Sequence, residues 1–286
     1  MSILQAVILG VVQGLTELLP ISSSAHLYLI PWIFEWTNSA EFNQAFEAFD
    51  VALHAGTLLA IVLFFFKDWI KLIVGGFNRV VKKEKTFEGK MFWYIVLATI
   101  PGGAIGFVLD KFVGDALTTP IIIGIALIVM GIVLYIVDKK VKSETEFENM
   151  TLNQTFLIGL SQALAFIPGV SRSGVTMTMG RALGVKRESV AKYSFLLPTP
   201  IVAAATLYKC KDFVISLPFF IGVFTSFIVG VFVIKFLMEY LKKGSFKGFA
   251  IYRVIVGIVV IALWIIRLWT SWKRIVLLAR KTRKKY

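Results

Sequence analysis

Three ionisable side chains stand where an otherwise apolar sequence leaves little room for charge: Glu17, His26 and Arg172. They fall in two short polar stretches, QGLTELLPISSSAH at 13–26 and IPGVSRSGVT at 167–176. In the second, Pro168 and Gly169 break a helix and Gly174 permits close backbone approach. A Gly- and Ser-rich turn entering a helix offers backbone N–H groups and a positive dipole end, which suits an anion. Arg172 adds a planar fork matched to phosphate oxygens, and Ser171, Ser173 and Thr176 add hydroxyl donors. The bland alternative is a helix cap, with Ser173 capping and Arg172 snorkelling. In the first stretch, Gln13 and Glu17 are four apart and share a helix face, flanked by Gly10 and Gly14. Glu17 has three possible jobs: pairing with Arg172, holding a divalent cation with or without Gln13, or moving protons. Ser22, Ser23 and Ser24 add hydroxyls, with Ser23 the candidate nucleophile and Ser22 a phosphate contact, and His26 adds a base, so the two stretches together form an acid–base–anion set. His54, in VALHAGTLLA, lacks such company and reads as structural or as support to the site from behind.

The elements that carry these residues belong in a bilayer. The chain has 286 residues, 57% of them hydrophobic, and a mean hydropathy of +0.80. Six segments are long enough to span, near 46–66, 91–110, 118–137, 193–210, 213–238 and 248–271. The net charge of +14 would suggest nucleic acid in a soluble protein. Here it follows the positive-inside rule and membrane lipid head groups, and no nucleic-acid partner is expected. The single cysteine, Cys210, excludes an intrachain disulfide. No basic residue precedes the first apolar run, which argues against a signal peptide.

Two further apolar stretches, 2–33 and 152–184, are broken at the polar motifs. Broken helices at membrane depth survive only where their freed backbone groups are buried in protein or line a wet cavity. Both therefore read as re-entrant hairpins with polar tips. They match at a constant shift of 149 positions: Gln13 with Gln162, Ser22 and Ser24 with Ser171 and Ser173, Thr57 with Thr206. The expected fold is an all-α integral membrane protein, an inverted repeat of one re-entrant helical hairpin plus three transmembrane helices. That makes six spans and two re-entrant hairpins in a single membrane domain over 1–286, with repeats of about 1–140 and 150–271 and a basic tail at 272–286. In such folds the site lies near the midplane, where the broken helices meet. Segment 67–90 carries seven basic residues, and loops 138–150, 180–192 and 240–247 add three, four and three. All fall on one side, taken as cytoplasmic, whereas the acidic stretch 34–50 falls outside. The tail conflicts with this, since six spans put its many Lys and Arg outside as well.

Together, QGLTELLPISSSAH and PGVSRSGVT closely resemble the motifs of the undecaprenyl-diphosphate phosphatase family, also known for bacitracin resistance. The resemblance runs from about residue 3 to about 265 and includes SFLL at 194–197 and AIYR at 250–253. It implies a multi-pass enzyme of the bacterial cytoplasmic (inner) membrane with its site open to the outer face. Its substrate would be a C55 polyprenyl diphosphate lipid, usually with Mg²⁺ or Ca²⁺. A homodimer is the assembly left open. The family pattern maps onto Gln13, Glu17, Pro20, Ser22, Ser23 and His26, and onto Ser171, Arg172, Ser173 and Thr176. Two departures stand out: Gln13 replaces the family's first carboxylate, and Ala25 a common glycine.

The expected reaction is phosphoanhydride hydrolysis. Arg172, the 169–174 backbone from Gly169 to Gly174, and Thr176 bind the terminal phosphate. Ser23 attacks phosphorus while His26 or Glu17 takes its proton; in a variant, His26 is the nucleophile and Ser23 positions. The rival reading is a transporter or lipid flippase, for which inverted repeats and Arg172 are equally suitable. A carrier, however, needs no nucleophile paired with a base.

Overall fold

The computed structural model describes residues 1–113, 117–142 and 144–283, without the side chains of 107, 109–113 and 274–283. Among these residues every named element is a helix, and the one β contact is an isolated bridge between Thr145 and Val185. The helices of the first half are α1 (Ile3–Thr16), α2 (Ser23–Ile33), α3 (Ala40–Phe64), α4 (Phe66–Val81), α5 (Phe87–Val113) and α6 (Pro120–Lys140). Those of the second are α7 (Leu152–Ser161), α8 (Arg172–Ala182), α9 (Arg187–Leu196), α10 (Thr199–Lys209), α11 (Leu217–Leu241) and α12 (Lys247–Arg283).

Five stretches among the described residues are long and apolar enough to cross a membrane: α3, α6, the α9–α10 run, α11 and α12. The chain is therefore an integral membrane protein with several spans. The expected span at 91–110 falls within α5, part of whose side chains lie outside the described residues. The charged side chains of the basic tail from Arg274 onward also lie outside them. Two differences from the sequence reading have local causes. The expected span at 193–210 is broken into α9 and α10 around Leu197 and Pro198, because prolines at 198 and 200 remove donors and restrict the residues before them. Segment 67–90 is not simply a loop, since α4 occupies most of it. Leu72, Gly75 and Gly76 pack α4 against α5, while Phe66, Ile70, Ile73, Val74 and Phe77 are exposed.

The short helices lie where both motifs interrupt the chain. With 14 residues in α1 and 11 in α2, they are about 21 and 17 Å long, short of the roughly 30 Å hydrocarbon core. Each broken stretch opens with a capping box, Ser2 with Gln5 and Thr151 with Gln154, which satisfies donors of the first helical turn at an exposed end. Close approach then seats the stretches. A Cβ on Gly10 would lie 2.7 Å from the Gly222 carbonyl of α11, and one on Gly159 only 2.3 Å from the Ala98 carbonyl of α5. Glycine permits this backbone contact between membrane helices. At one end of the bundle, buried Asp138 accepts from Arg181 Nε at 2.8 Å, Arg187 Nε at 2.7 Å and the Phe246 backbone N–H at 3.0 Å. It thereby joins α6, α8, α9 and the approach to α12.

Candidate active site

Glu17 is the first residue past α1, where the chain leaves the helix to form the first tip. It is 8% exposed. Ser23, the first residue of α2, donates its hydroxyl to Glu17 Oε2 at 2.5 Å. Arg172, the first residue of α8, pairs through Nη2 with Glu17 Oε1. The carboxylate is thus reached from both tips, which are 155 residues apart in the chain. His54 of α3 brings Nε2 within 3.4 Å of Oε2, and Gln13 Nε2 is also 3.4 Å from Oε2. A cavity of about 250 Å³ opens here, lined by Glu17, Ser23, Ser24, His54, Gln162, Ser171, Arg172 and apolar neighbours including Phe166 and Ile201. It has room for several waters or a phosphate group. A second, mostly apolar cavity of about 400 Å³ shares His54, Phe166 and Ile201 with it and continues past Gly103, Gly106 and Val202.

Glu17, Ser23, Ser171 and Arg172 come together in the polar cavity, but His26 does not. Its Nδ1 lies 2.7 Å from the Ser22 carbonyl and its Nε2 2.8 Å from the Tyr252 hydroxyl, on which the ring also stacks. A carbonyl only accepts, so Nδ1 carries a proton and His26 ties the first turn of α2 to itself and to α12. Thr176 is turned inward, donating to the Arg172 carbonyl at 2.8 Å and lying 2.6 Å from the Ser194 hydroxyl. Ser173 donates to the Leu19 carbonyl of the other tip at 3.0 Å. Ser22 accepts from the Ala25 N–H, and Ser171 from the Gly174 N–H at 3.0 Å, so Ser171 rather than Ser173 caps α8. Gly169 has φ +97, and a Cβ there would lie 2.7 Å from the Ile123 carbonyl. These residues shape the tips, and it is the residue following each cap that reaches Glu17.

His54 turned out closer to the chemistry than its sequence surroundings suggested. No local signal pointed to it, because the contact with Glu17 depends on how α3 packs on the first tip. Its Nδ1 lies 2.9 Å from the Asp50 carbonyl, which fixes that nitrogen as a donor and turns Nε2 toward Glu17. Gln162, the 149-shifted match of Gln13, also lines the cavity, so its match to Gln13 in the sequence was the available clue. Arg253 is fully buried beside both tips. A rule that treats any charge inside an apolar run as functional would have found it.

The side chains do not compose a resident divalent-cation site. Among the described residues, no three His, Cys, Asp or Glu side chains cluster as metal ligands. Glu17 is the one carboxylate lining the polar cavity, and both its oxygens are engaged by Arg172, Ser23 and His54. Gln13 Oε1 is buried without a hydrogen-bond partner, and one neutral oxygen beside a paired carboxylate falls short of the roughly six to eight oxygens that Ca²⁺ takes, whereas Mg²⁺ commonly uses one or two carboxylates together with substrate phosphates.

Comparison with known proteins agrees with these motifs. A family profile described as Bacitracin resistance protein BacA matches residues 6–259. The chain is 49% identical over 266 residues to a protein named undecaprenyl-diphosphatase from Pelotomaculum thermopropionicum, covering 92% of this chain and 97% of that one. It is 44% identical to a protein of the same name from Desulforudis audaxviator, over 92% of this chain and 98% of that one. A third such protein, from Moorella thermoacetica, is 41% identical over 93% of this chain and its own full length.

Proposed function

The chain belongs to the bacitracin resistance protein BacA family, and from that membership and the tip geometry we infer that it is a membrane phosphatase. It hydrolyses undecaprenyl diphosphate to undecaprenyl phosphate and inorganic phosphate, recycling the lipid carrier of cell-wall synthesis. The observation that carries the chemistry is the meeting of Ser23 and Arg172 on Glu17 beside a cavity.

In the mechanism we propose, the terminal phosphate enters the cavity and shares Arg172 with Glu17, and the guanidinium offsets the charge that develops on the phosphoryl oxygens. Ser23 Oγ attacks phosphorus and its proton passes to Glu17 Oε2. The bridging P–O bond breaks and undecaprenyl phosphate leaves with the electron pair. Water then attacks the phosphoseryl group, loses a proton to bulk solvent, and releases phosphate as Ser23 recovers its proton from Glu17. Ser23 is preferred to His26 as nucleophile because both ring nitrogens of His26 are engaged away from the cavity. The apolar cavity past Gly103 and Val202 suits the prenyl chain.

An inverted repeat in the cytoplasmic membrane, with the site open to the outer face, belongs to the same proposal. The capping boxes at Ser2 and Thr151 and the serine caps at Ser22 and Ser171 support it, each pair 149 apart. Beyond them, α5 and α11 begin at Phe87 and Leu217. The shorter interval is accounted for if α4 is an addition to the first half. Were Mg²⁺ or Ca²⁺ required, it would accompany the diphosphate substrate to the Glu17 side of the cavity and would supply charge neutralisation for the phosphoryl oxygens. EDTA is then expected to raise the substrate concentration needed for half-maximal rate and leave the Tm of substrate-free protein unchanged.

The test is phosphate release from undecaprenyl diphosphate by the purified full chain in detergent. Robust release by wild type and its near-complete loss in Ser23→Ala is the expected result. Wild-type rates in Ser23→Ala would remove Ser23 as the nucleophile, and no release from well-folded wild type would favour the lipid carrier reading.

A further inference from the structure

We propose that Arg253 is a positioning residue for the reaction, a single guanidinium that clamps the two tips at the spacing at which Ser23 and Arg172 meet on Glu17. The inference rests on reading those three residues as the reacting set.

Arg253 is 0% exposed and among the largest fully buried side chains of the protein. None of the ion pairs among the described residues includes it. Its fork is spent on backbone carbonyls instead. Nη1 donates to Pro20 in the first tip at 3.0 Å, and Nη2 to Gly169 and Val170 in the second at 2.8 and 2.9 Å. Nε is 3.5 Å from the Leu127 carbonyl of α6. Pro20, Gly169 and Val170 lie where the helices are broken, so their carbonyls have no helical partner. In a bilayer such groups need a donor from the protein. A rigid planar fork can serve two tips at once, which a lysine ammonium on a flexible stem cannot do at the same spacing.

The clamp sits next to the chemistry along both chains. Pro20 is two residues before Ser22, whose cap starts α2 at Ser23. Val170 directly precedes Ser171, whose cap starts α8 at Arg172. The tip-to-tip contacts are otherwise few: Ser173 to the Leu19 carbonyl, and Arg172 to Glu17 itself. Arg253 also leaves a mark on the sequence. A Cβ on Gly174 would lie 2.5 Å from Arg253 Nη1, whereas the matching position of the first tip holds Ala25. The rest of α12 braces the same elements. Tyr252 meets His26, and Arg267, on the same face of the helix, donates to the Trp32 and Ile33 carbonyls at the end of α2.

The test compares Arg253→Lys, Arg253→Met and Gly174→Ala with wild type, as full chains in detergent, reading kcat and KM for phosphate release together with Tm. A displacement of about 1 Å at the reacting groups can cost about 10²-fold. Arg253→Lys is therefore expected to lower kcat about 10²-fold, with KM within about threefold and Tm within a few degrees. Gly174→Ala, which removes no donor but crowds the guanidinium, is expected to lower kcat at least tenfold. It keeps the proposal testable should the Arg253 variants fail to fold. Values of kcat within threefold of wild type in Arg253→Lys or in Gly174→Ala overturn the proposal. So does a large rise in KM at unchanged kcat, which would make Arg253 a substrate contact. Either result leaves the Ser23 reading standing, which fails separately if Ser23→Ala turns over at the wild-type rate.

Discussion

The two tips begin with the same backbone device and end in different chemistry. Ser22 has φ 80 and ψ 97, and Ser171 φ 72 and ψ 117. Both are non-glycine residues held at positive φ, an uncommon and costly conformation. Each hydroxyl accepts the N–H three residues on and lies near the hydroxyl two residues on, at 3.3 Å in the first tip and 3.2 Å in the second. The next residue then opens a helix and reaches Glu17. It is Ser23 in one tip and Arg172 in the other, a hydroxyl and a cation delivered to one carboxylate by the same turn. The scaffold thus repeats while the chemistry is divided. What differs between the tips is what the rest of the protein presents to them: Arg253 against Gly174, and Tyr252 against His26.

The comparison breaks most sharply if the residues following the two caps are interchangeable. Arg172→Ala and Ser23→Ala are each expected to reduce phosphate release about 10³-fold or more, since under the proposed mechanism one removes the anion contact and the other the nucleophile. The double swap Ser23→Arg with Arg172→Ser is expected to stay equally inactive, because Glu17 belongs to the first tip alone. Recovery of activity by the swap would show two equivalent tips. Glu17→Gln should lower kcat about 10²–10⁴-fold, the range for losing a general base. Little change there would shift proton acceptance to another group.

Smaller effects sharpen the contrast between the site and the frame that holds it. Asp138→Ala leaves Arg181 buried without its carboxylate, and a loss of about 3–5 kcal/mol is expected in denaturant unfolding. An unchanged midpoint would show that the polar knot at the bundle's end is dispensable. Ser22→Ala and Ser171→Ala should each cost about 1 kcal/mol as lost helix caps. Equal costs, measured as shifts in Tm, would support matching tip backbones, and a large inequality would not. His54→Gln keeps a donor near Glu17 and is expected to lower kcat less than about tenfold. A loss as large as that of Glu17→Gln would make His54 a direct participant.

Much of the site was legible in the sequence because charge inside an apolar segment is costly. Glu17 and Arg172 stood out for that reason, and the paired serines marked where helices stop and restart. Arg253 met the same criterion, a lone charge between Lys247 and Arg267, but AIYR at 250–253 counted only toward the family resemblance and pointed to no role. His54 looked ordinary because its partner is 37 residues away, just past the end of α1. His26 misled in the opposite direction, since closeness to Ser23 in sequence did not bring its nitrogens into the cavity. Residues 23 and 26 are one turn apart and share a face of α2, but the Ser22 carbonyl and the Tyr252 hydroxyl hold the His26 ring away from the cavity.

By itself, then, the sequence determined the membrane class, the two broken stretches and the polar side chains they carry. Those follow from hydropathy, helix-breaking residues and the expense of buried charge, all of which are local properties. Which side chains share a carboxylate was decided only by the tertiary structure. The convergence of Ser23, Arg172 and His54 on Glu17 depends on α1, α2, α3 and α8 packing together. The burial of Arg253 depends on α12 running beside both tips. Periodicity states which face of a helix a residue occupies, and only packing decides what that face meets.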